Sequence, residues 1–306
     1  MRIVWGYKTE YPEPDMILID GCQYANWSEK IFREMNAGGV SAVHVTICYH
    51  EDFRETVENM ADWNRMFERF PDLIVPGRTA EDVRRAHADG RTAIVFGFQN
   101  CSPIEDDIGL VEICHQLGAR FMQLTYNNQS LLATGCYEEN DTGVTRMGRQ
   151  VIAEMNRVGL VVDMSHSGER STLEAIEMSE CPIAITHANP AFWHPAQRNK
   201  SDDVLKALGE SGGMLGFSLY PHHLKDQPDS VVEWMRVGRW TKDIDYGEGS
   251  ASDAGFPPMP SWFGGNLDFG NIADGLKAHG FDDADVEKVM GGNWLRFFEE
   301  SFGPSN

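Results

Sequence analysis

Seven short runs rich in Val, Ile, Leu and Met recur along this chain of 306 residues, at 16–20, 42–47, 92–98, 121–126, 160–165, 183–186 and 214–219. They read as strands buried on both faces, as the strands of a parallel sheet are. Amphipathic stretches fill the intervals, at 28–36, 51–70, 80–88, 107–117, 145–158, 169–178 and 201–209. Gly38-Gly39, Gly90, Gly118, Gly159 and Gly212-Gly213 fall between a helix and the next strand, where a left-handed residue ends a helix. Strand–helix steps repeated in this way predict an α/β fold, a TIM-like (β/α) barrel. Its eighth strand is missing or irregular. After 214–219 the chain passes through Tyr220-Pro221-His222-His223-Leu224 to Asp226, a helix start. The remainder reads as helices at 230–238, 267–278 and 283–301 around a loop at 243–265. The expected organisation is one barrel domain over 1–306, with a C-terminal helical extension from about 226.

In such a barrel the side chains at strand C-termini converge on the face that carries the active site. Two runs end there on histidine. Val161-Val162-Asp163-Met164-Ser165-His166 and Ile183-Ala184-Ile185-Thr186-His187 place the imidazoles 21 residues apart on neighbouring strands. One such histidine would serve simply by bonding a nearby backbone group. Two on adjacent strands point to a shared metal or substrate.

Charge narrows the partners. The net charge of −21, without a Lys/Arg-rich stretch, argues against nucleic acid and anionic membrane surfaces. The six cysteines (Cys22, Cys48, Cys101, Cys114, Cys136 and Cys181) form no CxxC pair, so neither a disulfide framework nor a structural zinc motif is visible. The stretch Met1 to Lys8 lacks the apolar run of a signal peptide, and no later stretch reaches membrane-spanning length. A reduced, cytoplasmic setting is expected.

Several phrases together resemble the renal (membrane) dipeptidase family, which implies a TIM-like (β/α) barrel of the metal-dependent hydrolase type. They are Ile19-Asp20-Gly21, Leu124-Thr125-Tyr126-Asn127-Asn128-Gln129, Gly148-Arg149 through Glu154-Met155-Asn156-Arg157, and Val162-Asp163-Met164-Ser165-His166. Ile185-Thr186-His187-Ala188-Asn189, Arg198-Asn199 and Gly291-Gly292-Asn293-Trp294-Leu295-Arg296 complete the set. The resemblance implies two zinc ions about 3.5 Å apart that activate a hydroxide for dipeptide hydrolysis, and a homodimer. It matches the family's two histidines to His166 and His187, and its substrate-binding arginine to Arg198.

Other family positions differ. Where the family has His-x-Asp after the first strand, this chain has Cys22-Gln23-Tyr24; where it has a bridging glutamate, Gln99; and where it has a substrate-side histidine, Tyr126. The family's aspartate on the eighth strand has no counterpart. Two Zn²⁺ ions at that separation repel by about 19 kcal/mol even at an effective dielectric near 20. Anionic ligands must offset this, and none of the matching positions is a carboxylate. One zinc remains compatible, on Cys22, His166 and His187 with an open position for water. A site with no metal, or one using Asp163, His222 or His223, stays open.

The expected function is that of a dipeptidase-family hydrolase acting on the amide bond of a dipeptide or other small amide, with a degenerate metal site. His166, His187 and Tyr126 are the candidate catalytic groups. Arg198, Asn127, Asn128, Gln99 and Tyr24 are the candidate substrate contacts, with Arg198 suited to a bidentate carboxylate pair. Two alternatives stand beside this reading. One is a metal-independent barrel enzyme using Cys22, Tyr24 and Tyr126. The other is a non-catalytic protein that binds a small molecule on the same fold.

Overall fold

The computed structural model describes residues 16–220, 223–224 and 262–302. The amino-terminal residues, His222 and the helix and loop expected within 225–261 lie outside the described residues. The strands are β1 (Leu18–Gln23), β2 (Val40–Cys48), β3 (Ile74–Pro76), β4 (Thr92–Phe98), β5 (Ala119–Gln123), β6 (Val161–Asp163), β7 (Ala184–Ile185) and β8 (Met214–Leu215). Helices α1 (Glu29–Ala37), α2 (Phe53–Arg69), α3 (Ala80–Ala88), α4 (Gly109–Leu117), α5 (Arg146–Val158), α6 (Glu169–Met178) and α7 (Asp202–Glu210) fall between or after them. The C-terminal part forms α8 (Phe269–Ala278), α9 (Asp283–Glu287) and α10 (Asn293–Ser301), the last two joined by a π-helical turn at Lys288–Gly292.

Local chemistry sets the helix ends. Asp52 and Glu55 exchange bonds with each other's backbone N–H to start α2, and Thr79 and Asp82 do the same for α3. Gly118 at φ 118° and Gly159 at φ 80° close α4 and α5 in the left-handed region.

Every strand pair is parallel, in the order β1-β2-β4-β5-β6-β7-β8, and β3 pairs β4. The result is a half-barrel wrapped by helices. One face of the sheet, including Val43, Val45, Ile94, Phe96, Met122 and Val162, is buried with side chains of the surrounding helices. The other, including Ile19, Ala42, Ala93, Val95, Phe121, Val161 and Ala184, packs with Trp294, Phe297 and Phe298 of α10.

The expected run of strand–helix steps is present, with two differences. The sequence reading passes over β3, a strand of only three residues ending in proline. Pro76 lacks an N–H for a ladder and is admissible only at such a margin. β3 pairs Thr92–Ile94 of β4, and β5 takes over beside β4 from Phe96 onward. The added strand therefore lies early in the chain. After β8 no further strand occurs among the described residues. The second difference lies in the strand ends, expected at Tyr126, Ser165, Thr186 and Leu219 and observed at Gln123, Asp163, Ile185 and Leu215. Side chains capture the backbone there: the Thr125 hydroxyl bonds the Asn128 carbonyl, and Asp163 Oδ1 accepts the N–H groups of Ser165 and Thr186.

β1 and β8 share no ladder among the described residues, and an aromatic side chain spans the gap. A Cβ on Gly21 in β1 would lie 2.6 Å from Cζ2 of Trp294, and one on Gly216 after β8 would lie 3.0 Å from the same atom. Gly21 leaves room chiefly for the indole, whereas Gly216 is pressed first by the Thr186 carbonyl, 2.0 Å from where its Cβ would be, and then by the indole. No described helix is long and apolar enough to cross a membrane.

Trp294→Ala is expected to lower stability by about 3–5 kcal/mol, the usual cost of removing a fully packed large aromatic. Urea unfolding measures this; a loss below about 1 kcal/mol would show that the indole does not hold the two strand ends together.

Candidate active site

The site grows from one carboxylate. Asp163, the last residue of β6, is fully buried. Its Oδ1 accepts the backbone N–H groups of Ser165 (3.0 Å) and Thr186 (3.2 Å) and the Ser165 hydroxyl (2.5 Å). Its Oδ2 accepts Gln123 Nε2 (3.0 Å) and the Thr186 hydroxyl (2.6 Å). Five donors from three strand ends satisfy the carboxylate, and in doing so they fix the loops that carry both histidines.

Those loops bring His166 and His187 together, with their Nε2 atoms 3.0 Å apart. His166 is buried and His187 only partly, so the pair opens on one side. His166 Nδ1 bonds Asn127 Oδ1 at 2.7 Å, and His187 Nδ1 lies 2.8 Å from Thr186 Oγ1. Asn127 adopts φ 62°, a left-handed conformation that asparagine tolerates well. Gly135 passes so close that a Cβ there would come within 2.1 Å of the Asn127 carbonyl. Tyr126 stacks on the His166 ring at 4.2 Å between centroids. Burial, reinforced by the Arg198 guanidinium, holds both imidazoles well below their ordinary range, so both are neutral bases at pH 7.

Arg198 is buried, and its Nε donates to the Ser165 carbonyl at 3.3 Å. Its Nη2 is buried without a hydrogen-bond partner among the described residues. A buried guanidinium nitrogen with spare donors is a receptor for an anion. Two residues on, buried Lys200 donates through Nζ to the carbonyls of Met164 (2.9 Å) and Ser167 (2.8 Å). With the Cys136 N–H on the His166 carbonyl at 2.9 Å, the carbonyls from Met164 through Ser167 are all tied down.

The remaining candidates form a neighbouring cluster. Gln99 donates through Nε2 to Thr46 Oγ1 (2.8 Å) and Cys22 Sγ (3.4 Å). Burial, then the carboxylates of Asp20 and Asp163, push the Cys22 thiol far up, so it stands as a thiol and not as a thiolate. Tyr24 is half exposed and meets Tyr49 edge-on at 6.3 Å; Tyr49 meets Tyr126 at 5.6 Å. Asn128 lends its carbonyl to the Thr125 hydroxyl. No three His, Cys, Asp or Glu side chains gather closely enough to hold a metal ion among the described residues. For the two zinc ions that the resemblance implies, this donor set does not fit: the family's ligand positions carry a protonated thiol, a phenol and a neutral amide.

Sequence reasoning passed over Thr186 and Lys200, and with them His44. His44 is buried in the middle of β2, with Nδ1 2.8 Å from the Gly21 carbonyl and its ring stacked on Phe121 at 4.8 Å. Nothing within a Val-rich strand marks such a residue. Thr186 and Lys200 were legible only as neighbours of His187 and Arg198. His223 is also buried, its Nδ1 2.8 Å from Ser218 Oγ.

The site is thus a pair of facing imidazoles beyond the strand C-termini of a parallel half-barrel. The chain belongs to the membrane dipeptidase family, peptidase family M19, whose sequence model matches residues 27–302. Dipeptidase tcpJ of Claviceps purpurea is 27% identical over 263 residues, which cover 82% of this chain and 61% of that protein. The chain thus spans about three-fifths of the length of the curated relatives tcpJ and aclJ. An amidohydrolase from Pseudomonas aeruginosa superposes with a TM-score of 0.84 at 33% identity, covering 95% of this chain and 98% of that one. A metallo peptidase from Rhodobacter sphaeroides, liganded with a phosphinate mimic of the dipeptide L-Ala-D-Ala, shares the fold at TM-score 0.75 and 17% identity, covering 94% of this chain and all of that one.

The burial of the site can be tested through Lys200, whose ammonium is held down to about 8 by burial. Its folded value lies below its ordinary 10.5, so burying the charge costs stability at neutral pH. From pH 8 to 10.5 the unfolded chain keeps a proton that the folded chain has released, and that cost fades. Urea unfolding should show wild type gaining on the order of 3 kcal/mol relative to Lys200→Met across this window. An unchanged difference would mean that the amine is solvated.

Proposed function

We propose that this chain hydrolyses the amide bond of a dipeptide, or of another small amide bearing a carboxylate, where β6 and β7 end. The observation that carries this reading is the meeting of His166 and His187 beside the Arg198 guanidinium nitrogen that has no partner among the described residues. Arg198 receives the substrate carboxylate and sets the distance to the scissile carbonyl. A neutral imidazole of the pair takes a proton from the attacking water, and the pair returns it to the leaving amine. Asn127 holds His166 through its carboxamide. Tyr126 walls the ring, and Tyr24, Gln99 and Asn128 meet the rest of the substrate. The raised Cys22 thiol argues against a metal-independent scheme with Cys22 as nucleophile. The family's homodimer and a cytoplasmic setting belong to the same proposal; six free cysteines are compatible with the latter.

A second reading places one zinc on His166, His187 and Cys22. The facing Nε2 atoms favour it; the protonated thiol, and the lack of any three such side chains gathered closely enough among the described residues, oppose it. Elemental analysis of protein purified without chelator separates the two. One zinc per chain, with activity lost on chelation, supports the second reading; full activity at negligible metal content supports the first.

L-Ala-L-Ala and L-Ala-D-Ala are suitable probes for the proposed activity. Arg198→Met is expected to raise KM about 10–100-fold, the range for loss of a hydrogen bond to a charged group, and Arg198→Lys to recover part of that loss. Absence of cleavage of any dipeptide by the wild-type protein, or an unchanged KM in Arg198→Met, would overturn the reading.

A further inference from the structure

We propose that Asp163, acting through the Thr186 hydroxyl, is a positioning residue that holds His187 in the tautomer with its proton on Nδ1 and a bare Nε2 facing His166. The assignment follows from counting protons. Asp163 Oδ1 faces two backbone N–H groups and Oδ2 faces the amide nitrogen of Gln123, so both oxygens act as acceptors. Turning the Gln123 amide over would set oxygen against oxygen, and its Oε1 has no partner among the described residues. The hydroxyls of Ser165 and Thr186 must therefore each spend their one proton on Asp163, at 2.5 and 2.6 Å. Thr186 Oγ1 then has only lone pairs left for His187 Nδ1 at 2.8 Å, so Nδ1 is the donor and Nε2 carries the lone pair. That lone pair accepts the Nε2–H of His166 at 3.0 Å, and the bare Nδ1 of His166 takes an N–H of the Asn127 carboxamide, turned end for end.

The backbone makes this arrangement hard to invert. In Asp163→Asn the N–H groups of Ser165 and Thr186 hold the amide oxygen at the Oδ1 position, and the NH₂ takes the Oδ2 position. Gln123 can turn its unpartnered Oε1 toward that NH₂. Thr186 Oγ1 accepts the other proton, and its own hydroxyl proton is released toward His187 Nδ1. The substitution thus drives His187 to the opposite tautomer without removing a contact, as a carboxylate-to-amide change beside a catalytic imidazole does elsewhere.

The step served by this tautomer rests on the proposed amide hydrolysis, whereas the tautomer itself can be read without turnover. Long-range ¹⁵N–¹H correlation spectra of protein labelled at histidine report which ring nitrogen of His187 is protonated. Wild type and Thr186→Ser are expected to show Nδ1–H, Asp163→Asn to show Nε2–H, and Thr186→Val a mixture. With L-Ala-L-Ala as substrate, Asp163→Asn and Thr186→Val should lower kcat about 10–100-fold with KM little changed, and Thr186→Ser should restore kcat. Nδ1–H retained in both Asp163→Asn and Thr186→Val, or a Thr186→Ser variant as impaired as Thr186→Val, would overturn the inference. If no variant and no wild-type protein cleaves the dipeptide, the hydrolase reading falls and the spectra still decide the tautomer.

Discussion

The buried carboxylate of Asp163 is the constraint on which the site depends. A charge without solvent must find donors, and five come to it from β5, the β6 loop and the β7 loop. Meeting that demand ends both strands early, draws Ser165 and Thr186 together, and leaves the next residue in each loop, His166 and His187, side by side. Lys200 and Arg198 then hold the outer side of the His166 loop through its carbonyls. Burial, then the same cations, keeps the imidazoles neutral.

A family position with altered side chains is a different chemical object. Where a two-zinc site would need carboxylates to offset metal–metal repulsion, the chain presents a hydrogen-bonded set of Gln99, Thr46 and Cys22 with no formal charge. The imidazole half of the site and its arginine are kept. The surviving half is polar, buried and geometrically fixed. Nothing in this arrangement requires the barrel to close by a regular ladder. Trp294 spans β1 and β8, and the strand C-termini carrying the histidines lie on the same sheet.

Much of the architecture was legible in the chain because buried parallel strands and their glycine punctuation are local signals. β3 was not, since three residues ending in Pro76 carry too little pattern. The strand ends were overrun for a related reason: Leu124-Thr125-Tyr126 and Met164-Ser165 look like strand, and only the side-chain bonds of Thr125 and Asp163 to nearby backbone stop the ladder. In the site, His166, His187, Arg198 and Asn127 stand out as residue types at strand ends, and the structure brings these four together. Thr186, Lys200 and His44 do not stand out, because their roles depend on partners 23 or more residues away in sequence. A threonine's worth to a neighbouring histidine cannot be read until the carboxylate that takes its proton is in place.

A crystal structure with a phosphinate mimic of L-Ala-D-Ala bound tests the central claim most directly, that His166, His187 and Arg198 form one amide-hydrolysing site. The mimic's carboxylate should lie on the Arg198 guanidinium, with a phosphinyl oxygen within hydrogen-bond distance of the facing Nε2 atoms. A mimic bound away from both imidazoles, or one that leaves Arg198 untouched, would contradict the account.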